Sequence, residues 1–231
     1  PGRFNNVDVL YGFLLDGHPV DIAVTTDRGR DHLRFYVINP EKIGPNRKPL
    51  TDVTAADAPF VFSSSQSEVN NQQTAYGLAV WKDETGAYAF VSQRHRTVIA
   101  KVRLFEAGGG HINYEVIASI TLPKSFMLPD NTQWEPCQEP DEEPQVEGMV
   151  VDNGSKLLYA AQEDIGIWRL NSDLSNPMLI DKVRGFGVPW AFDPAEEECA
   201  IHYEQDPGFA GQHLTADAEG LTIYYGPELS G

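Results

Sequence analysis

Seven side chains of this sequence are of types that could do chemistry together. They are the carboxylates Glu147, Glu163, Asp217 and Glu219, the guanidinium groups of Arg28 and Arg94, and the phenol of Tyr76. Four carboxylates at close range cannot all stay ionised unless cations join them. Oxygen donors without His or Cys suit hard ions, calcium above all, which tolerates irregular geometry. Cations held there would turn an acidic opening into an anion trap and a bound water into a nucleophile. Arginines alongside would add bidentate phosphate contacts. The alternative is a solvated acidic rim with ordinary Arg–Glu pairs. The choice depends on whether the chain brings these residues to one place.

A repeat predicts that it does. β-Branched and aromatic runs bounded by Gly, Pro, Asn and Asp recur along the chain, as in "VDIAVTT", "LRFYVI", "AYAFVS", "KLLYAA" and "LTIYYG", and read as strands. The phrases "AYGLAVW", "VEGMVV" and "AEGLTIYY" share the pattern x-[Tyr/Glu]-Gly-[Leu/Met]-x-[Val/Ile], and "NVDVLY" is a looser copy. The second position of the pattern falls on Val7, Tyr76, Glu147 and Glu219, at intervals of 69, 71 and 72 residues. A near-constant period with several strands per unit indicates an all-β fold of repeated sheets, a β-propeller.

In each unit the next strand ends on a polar residue: Arg28, Arg94 and Glu163. The start of one strand and the end of its antiparallel partner lie at the same end of a sheet. Val7 and Arg28, Tyr76 and Arg94, and Glu147 and Glu163 are therefore expected as neighbours, all at one rim. Gly77, Gly148 and Gly220, which follow three of the positions, mark either close backbone approach or a β-bulge. The predicted units are 4–70, 71–140 and 141–212, with 213–231 opening a fourth. About three and a half blades leave two sheet edges open, so the chain reads as an internal piece of a longer propeller.

Composition narrows the partners. The 231 residues hold 34 acidic and 17 basic side chains, a formal charge of −17, which disfavours nucleic acid and anionic membrane. The sequence opens without Met or an apolar signal segment, which says nothing about targeting if its first residue is not the natural N-terminus. Cys137 and Cys199 each lie in an acidic, proline-bearing insertion, "TQWEPCQEPDEEP" and "FDPAEEECAIHYEQDPGF". That placement fits one disulfide in an oxidising compartment, the alternative being two unrelated thiols.

Other phosphate chemistries fail on their residues. "RHRTVIA" lacks the glycine, the second arginine and the proline of the histidine-phosphatase signature. A cysteine-phosphatase loop needs arginine six positions after the cysteine, where this chain has Glu143 and Gln205. There is no Gly-x4-Gly-Lys loop, no His-Glu-x-x-His and no zinc-like histidine spacing.

With these motifs in order, "NNVDVLYGF", "VDIAVTTDR", "YGLAVW", "VEGMVVDNGSKLLYAAQEDIGIWRL" and "DAEGLTIYY", the chain resembles the β-propeller phytases across nearly its whole length. The resemblance implies a six-bladed, calcium-dependent, secreted or periplasmic monomer. Such an enzyme hydrolyses phytate (inositol hexakisphosphate) by in-line attack of a metal-activated water on phosphorus. It implies catalytic roles for Glu147, Glu163, Arg28 and Tyr76, and substrate contacts from Arg28, Tyr76 and Arg94. Calcium ligands would be Glu147, Glu163, Asp217 and Glu219, with the Val7 carbonyl serving a structural ion. Where relatives often carry Lys-Glu, this chain has Arg94-His95, and His95 is no substitute for a carboxylate ligand. The family's further site residues from other blades have no counterpart here, so the chain alone would hold part of a site. Two rivals share the architecture: a lactonase-type calcium propeller and a calcium-stabilised binding propeller without activity.

Overall fold

The computed structural model describes residues 2–42, 44–45 and 47–226. Their regular secondary structure is almost entirely β. The first unit is a meander of β1 (Phe4–Leu15), β2 (His18–Asp27), β3 (His32–Ile38) and β4 (Leu50–Asp52), each strand antiparallel to the one before. The second repeats that order with β5 (Ala75–Asp83), β6 (Gly86–Gln93), β7 (Val98–Gly108) and β8 (His111–Thr121). Two short hairpins elaborate the insertions: β9 (Phe126–Met127) with β10 (Gln133–Trp134) before the third unit, and β15 (Trp190–Asp193) with β16 (Glu198–Ile201) after it. The third unit is β11 (Val146–Asp152), β12 (Leu157–Gln162), β13 (Gly166–Asn171) and β14 (Met178–Lys182). A single parallel bridge, Gly148 to Leu78, joins the second and third units into one eight-stranded sheet.

The middle unit is buried on both faces, which explains runs as apolar as "LAVW" and "AYAFV". Its Leu78, Ala87, Ala89, Val91, Val102 and Leu104 pack with Leu10, Ile22, Val24, Leu33 and Phe35 of the first unit. Trp81, Tyr88, Phe90 and Ile99, pointing the other way by the two-residue alternation of a strand, pack with Met149, Val151, Leu158, Ile165 and Trp168 of the third. Full burial of each such side chain is worth roughly 1.5–3 kcal/mol.

The same irregularity opens every unit. The register slips by one residue between Phe4 and Val7, between Ala75 and Leu78, and between Val146 and Met149. Each slip is a bulge, one extra residue that bends the strand and re-aims a side chain. Aligned on these bulges, the residue matching Tyr76 and Glu147 is Asn5, not Val7, which lies two positions further along β1, paired with Thr25 and with an exposed side chain. The corrected interval from Asn5 to Tyr76 is 71, the same as from Tyr76 to Glu147. The phrase "NNVDV" misled because its valines satisfy the apolar pattern while the bulge falls on the asparagines.

Both readings of the glycines hold at Gly77 and Gly148. Each sits in a bulge, and a Cβ would come within 2.2 Å of the Glu147 carbonyl oxygen at Gly77 and 1.6 Å of the Glu219 carbonyl oxygen at Gly148. At Gly220 nothing lies within 4 Å of that position. The segment "LTIYYG" also departs from expectation: residues 218–226 form no strand. A strand exists through its hydrogen-bonded neighbour, and among the described residues this segment has no antiparallel partner. Residues 227–231 of the predicted fourth unit lie outside the described residues.

Cys137 and Cys199 form a disulfide, S–S 2.01 Å, across a sequence separation of 62. It ties the insertion before the third unit to strand β16.

Candidate active site

The bulges and the strand ends beside them do converge on one rim. Tyr76 and Glu147 occupy equivalent bulge positions of adjacent units, and the Tyr76 hydroxyl donates to Glu147 Oε2 at 3.0 Å. Asn5 Nδ2, from the equivalent position of the first unit, donates to Glu147 Oε1 at 3.0 Å. One carboxylate therefore gathers the bulges of three units. Neighbouring units are also stitched beneath this level. Thr26 Oγ1 donates to the Tyr76 carbonyl at 2.6 Å, and the Ser92 hydroxyl donates to the Val146 carbonyl.

Charge on the rim is segregated. Arg28 and Arg94 follow β2 and β6 directly, and the Arg94 pKa is lowered by burial, then by Arg28, with Arg3 adding to the effect. Arg3, just ahead of β1, and Arg94 both donate to Gln72 Oε1, at 3.4 and 2.9 Å. The opposite side is acidic. Glu163, at the end of β12, is pushed up to about 8, first by burial and then by the charges of Asp164, Glu147 and Asp217 against the opposing hydrogen bond from Gln145. Glu219 is raised by Glu147 first and then Asp217. The Ala218 amide donates to the Glu163 carbonyl at 3.1 Å, holding Asp217 (φ +64°) and Glu219 beside the third unit. Tyr76 stands between the halves, its pKa raised by burial and by Glu147 and Glu163, and lowered by Arg94.

Glu147, Glu163, Asp217, Glu219, Tyr76, Arg28 and Arg94 thus share one neighbourhood, and Val7 does not reach it by its side chain. Ordinary Arg–Glu pairing across the rim is not what forms: among the described residues neither Arg28 nor Arg94 lies in an ion pair with a carboxylate. No three His, Cys, Asp or Glu side chains among the described residues stand close enough to form a ready metal shell. The donor chemistry nonetheless fits a hard cation. All the acidic groups are oxygen donors, and their mutual repulsion is of the kind that a bound divalent ion relieves.

Several site residues were not legible beforehand. Gln145 donates through Nε2 to both Glu163 oxygens, at 3.1 and 3.2 Å, while its Oε1 accepts from the His95 amide at 2.7 Å. It is a clamp between the second and third units. Asp164 is raised by burial and held by Gln138 Nε2 at 2.8 Å, beside the disulfide. His95 is lowered to about 4 by burial and by Arg94, so it is neutral near pH 7. Asn5 alone had a sequence signal, the even interval of 71; Arg3, Gln72, Gln138 and Gln145 had none.

Two comparisons bear on identity. A family model described as phytase matches residues 1–126. The whole chain is 27% identical over 236 aligned positions to a 3-phytase of Bacillus subtilis (strain 168), of which it spans 46%. The chain therefore covers about half the length of this curated relative.

Proposed function

The chain belongs to the phytase family, and on that premise we propose that the protein is a calcium-dependent phosphomonoesterase of the 3-phytase type, acting on phytate. The observation that carries this reading is the division of one rim into an arginine side and a carboxylate side, with Tyr76 between them. In this reading the chain supplies about three and a half blades of a six-bladed propeller, with blades at 4–70, 71–140 and 141–212 and a fourth beginning at 213. The disulfide supports an oxidising, secreted or periplasmic setting.

Arg28 and Arg94 bind phosphate oxygens of the substrate and absorb the charge that gathers on them as phosphorus is attacked. Glu147, Glu163, Asp217 and Glu219 would hold calcium, and the Val7 carbonyl a structural ion. When bound, calcium supplies positive charge beside the phosphate and an activated water for in-line displacement. Tyr76 and Asn5 fix Glu147 from two sides, and Gln145 fixes Glu163. Glu147 and Glu163 are thereby oriented by neutral donors rather than by ion pairs. Arginines kept free of acidic partners weigh against a lactonase and against a passive binding propeller, and turnover of phytate separates the readings.

The experiment is phosphate release from phytate by the full-length protein, with and without a calcium chelator, for the wild type, Glu147→Gln and Arg28→Ala. We expect release that the chelator and either substitution abolish. Release indifferent to both, or none from wild type supplied with calcium, contradicts the reading.

A further inference from the structure

The turn between β6 and β7 is tied to the insertion ahead of the third unit by backbone groups. His95 holds φ at +57° in that turn, a region that costs energy for a residue with a side chain. Its carbonyl accepts from Arg96 Nη1 at 2.7 Å and from the Glu143 amide at 3.2 Å. Arg96 Nη1 also donates to the Asp141 carbonyl at 2.9 Å, so one guanidinium lashes the turn to the insertion. Among the described residues Arg96 has no carboxylate within ion-pair distance. Its charge is directed at two backbone carbonyls, and such contacts are stronger than neutral hydrogen bonds. Glu142 stands 2.8 Å from His95 Nδ1, yet that nitrogen has no aligned hydrogen-bond partner. The hold on His95 is through its backbone.

That hold reaches the acidic side of the rim. The His95 amide donates to Gln145 Oε1 at 2.7 Å, while Gln145 Nε2 faces both Glu163 oxygens at 3.1 and 3.2 Å. A glutamine amide has an acceptor end and a donor end, and turning it over about its last torsion meets little intrinsic resistance. With the His95 amide in place, turning it over would set N–H against NH2 at one end and C=O against a carboxylate at the other. The Gln145 backbone is fixed independently, its carbonyl accepting from the Glu163 amide at 3.0 Å. The choice of end is the freedom that the turn removes.

We propose that Arg96 is a positioning residue for Glu163: by lashing His95 to the insertion it aims the His95 amide, which keeps the donor end of Gln145 on Glu163. This rests on the phosphate-ester reading above and adds to it Arg96, to which that reading gives no part. The insertion that carries Cys137 thereby acts on the third unit's carboxylate through a turn of the second unit.

The test is a double-mutant cycle in the full-length protein supplied with calcium and phytate: wild type, Arg96→Met, Gln145→Leu and the two combined. Methionine keeps the apolar stem of the arginine and removes the guanidinium. Arg96→Met should lower kcat about tenfold, the worth of one charge-assisted contact, and leave the KM for phytate within about twofold. Arg96→Lys, which restores a cation to the carbonyls, should recover most of the loss. Because the effect runs through Gln145, Arg96→Met should change kcat by less than about twofold once Gln145 is leucine. Wild-type turnover in Arg96→Met, a KM that rises with kcat unchanged, or losses that multiply in the double variant would overturn the relay. Arg96→Gln takes the place of Arg96→Met should that variant not fold. If the wild type releases no phosphate, the catalytic reading fails on its own, and hydrogen exchange at the His95 amide decides the relay. Exchange about tenfold faster in Arg96→Met supports it; equal exchange overturns it.

Discussion

The Tyr76 hydroxyl donates to Glu147 Oε2 at 3.0 Å, and the two residues hold equivalent bulge positions 71 residues apart. One repeat has placed a donor where the next has placed an acceptor. The contact exists because each bulge turns its side chain out of the alternating pattern and toward the shared rim.

Removing that donor tests what it does. Tyr76→Phe keeps the ring and loses one hydrogen bond to a charged group, worth about 1.5–3 kcal/mol. The full-length variant should melt within a few degrees of wild type while phytate turnover falls by about tenfold or more. Wild-type turnover would show that Glu147 needs no such orientation.

The glycines provide a matched series for stability. A Cβ at Gly77 or Gly148 would meet backbone of the following unit, whereas at Gly220 it meets open space. Gly77→Ala and Gly148→Ala should each cost about 1–3 kcal/mol or more by overpacking, and Gly220→Ala well under 1 kcal/mol. Denaturant titration of the three variants reads the difference, and equal midpoints would contradict the close approach.

The disulfide gives a redox-dependent stability. Bridging 62 residues, it should contribute about 2–4 kcal/mol by restricting the unfolded chain. Reductant should lower the melting temperature of wild type and leave a Cys137→Ser/Cys199→Ser variant unchanged at the lower value. The same variant also loosens Gln138, whose amide holds Asp164, so melting and phytate turnover are best followed together.

His32, paired with Asp27 where β3 begins, gives a pH dependence of stability. Its ring packs on Phe60, centroids 5.3 Å apart, and burial lowers its pKa from 6.5, partly offset by Asp31 and Asp27. A histidine with a lowered folded pKa contributes stability that is complete above its unfolded value. That stability is lost as pH falls through the folded value. Wild type should therefore lose more stability than His32→Gln on going from pH 7.5 to pH 5. Parallel losses would show that the ring is solvated.

Much of the architecture was readable in one dimension because it is set by local rules. Strand alternation and turn residues mark the hairpins, and a period near 71 copies each hairpin into the next unit. Antiparallel pairing alone then requires Tyr76 with Arg94, and Glu147 with Glu163, at one end of their sheets. The oxygen-only donor set and the placement of both cysteines in insertions were likewise visible as residue types. Tertiary structure decided what depends on neighbours distant in sequence. The bulge register moved the first-unit position from Val7 to Asn5, because hydrogen-bond pairing with β2, not apolar pattern, fixes which residue is extra. "LTIYYG" has a strand's composition but forms none, since strand structure needs a partner as well as propensity. Burial and proximity separated the charges of the rim, drawing Arg3 and Arg94 to Gln72 and clamping Glu163 with Gln145. Those are long-range contacts between loops, and no spacing in the sequence encodes them.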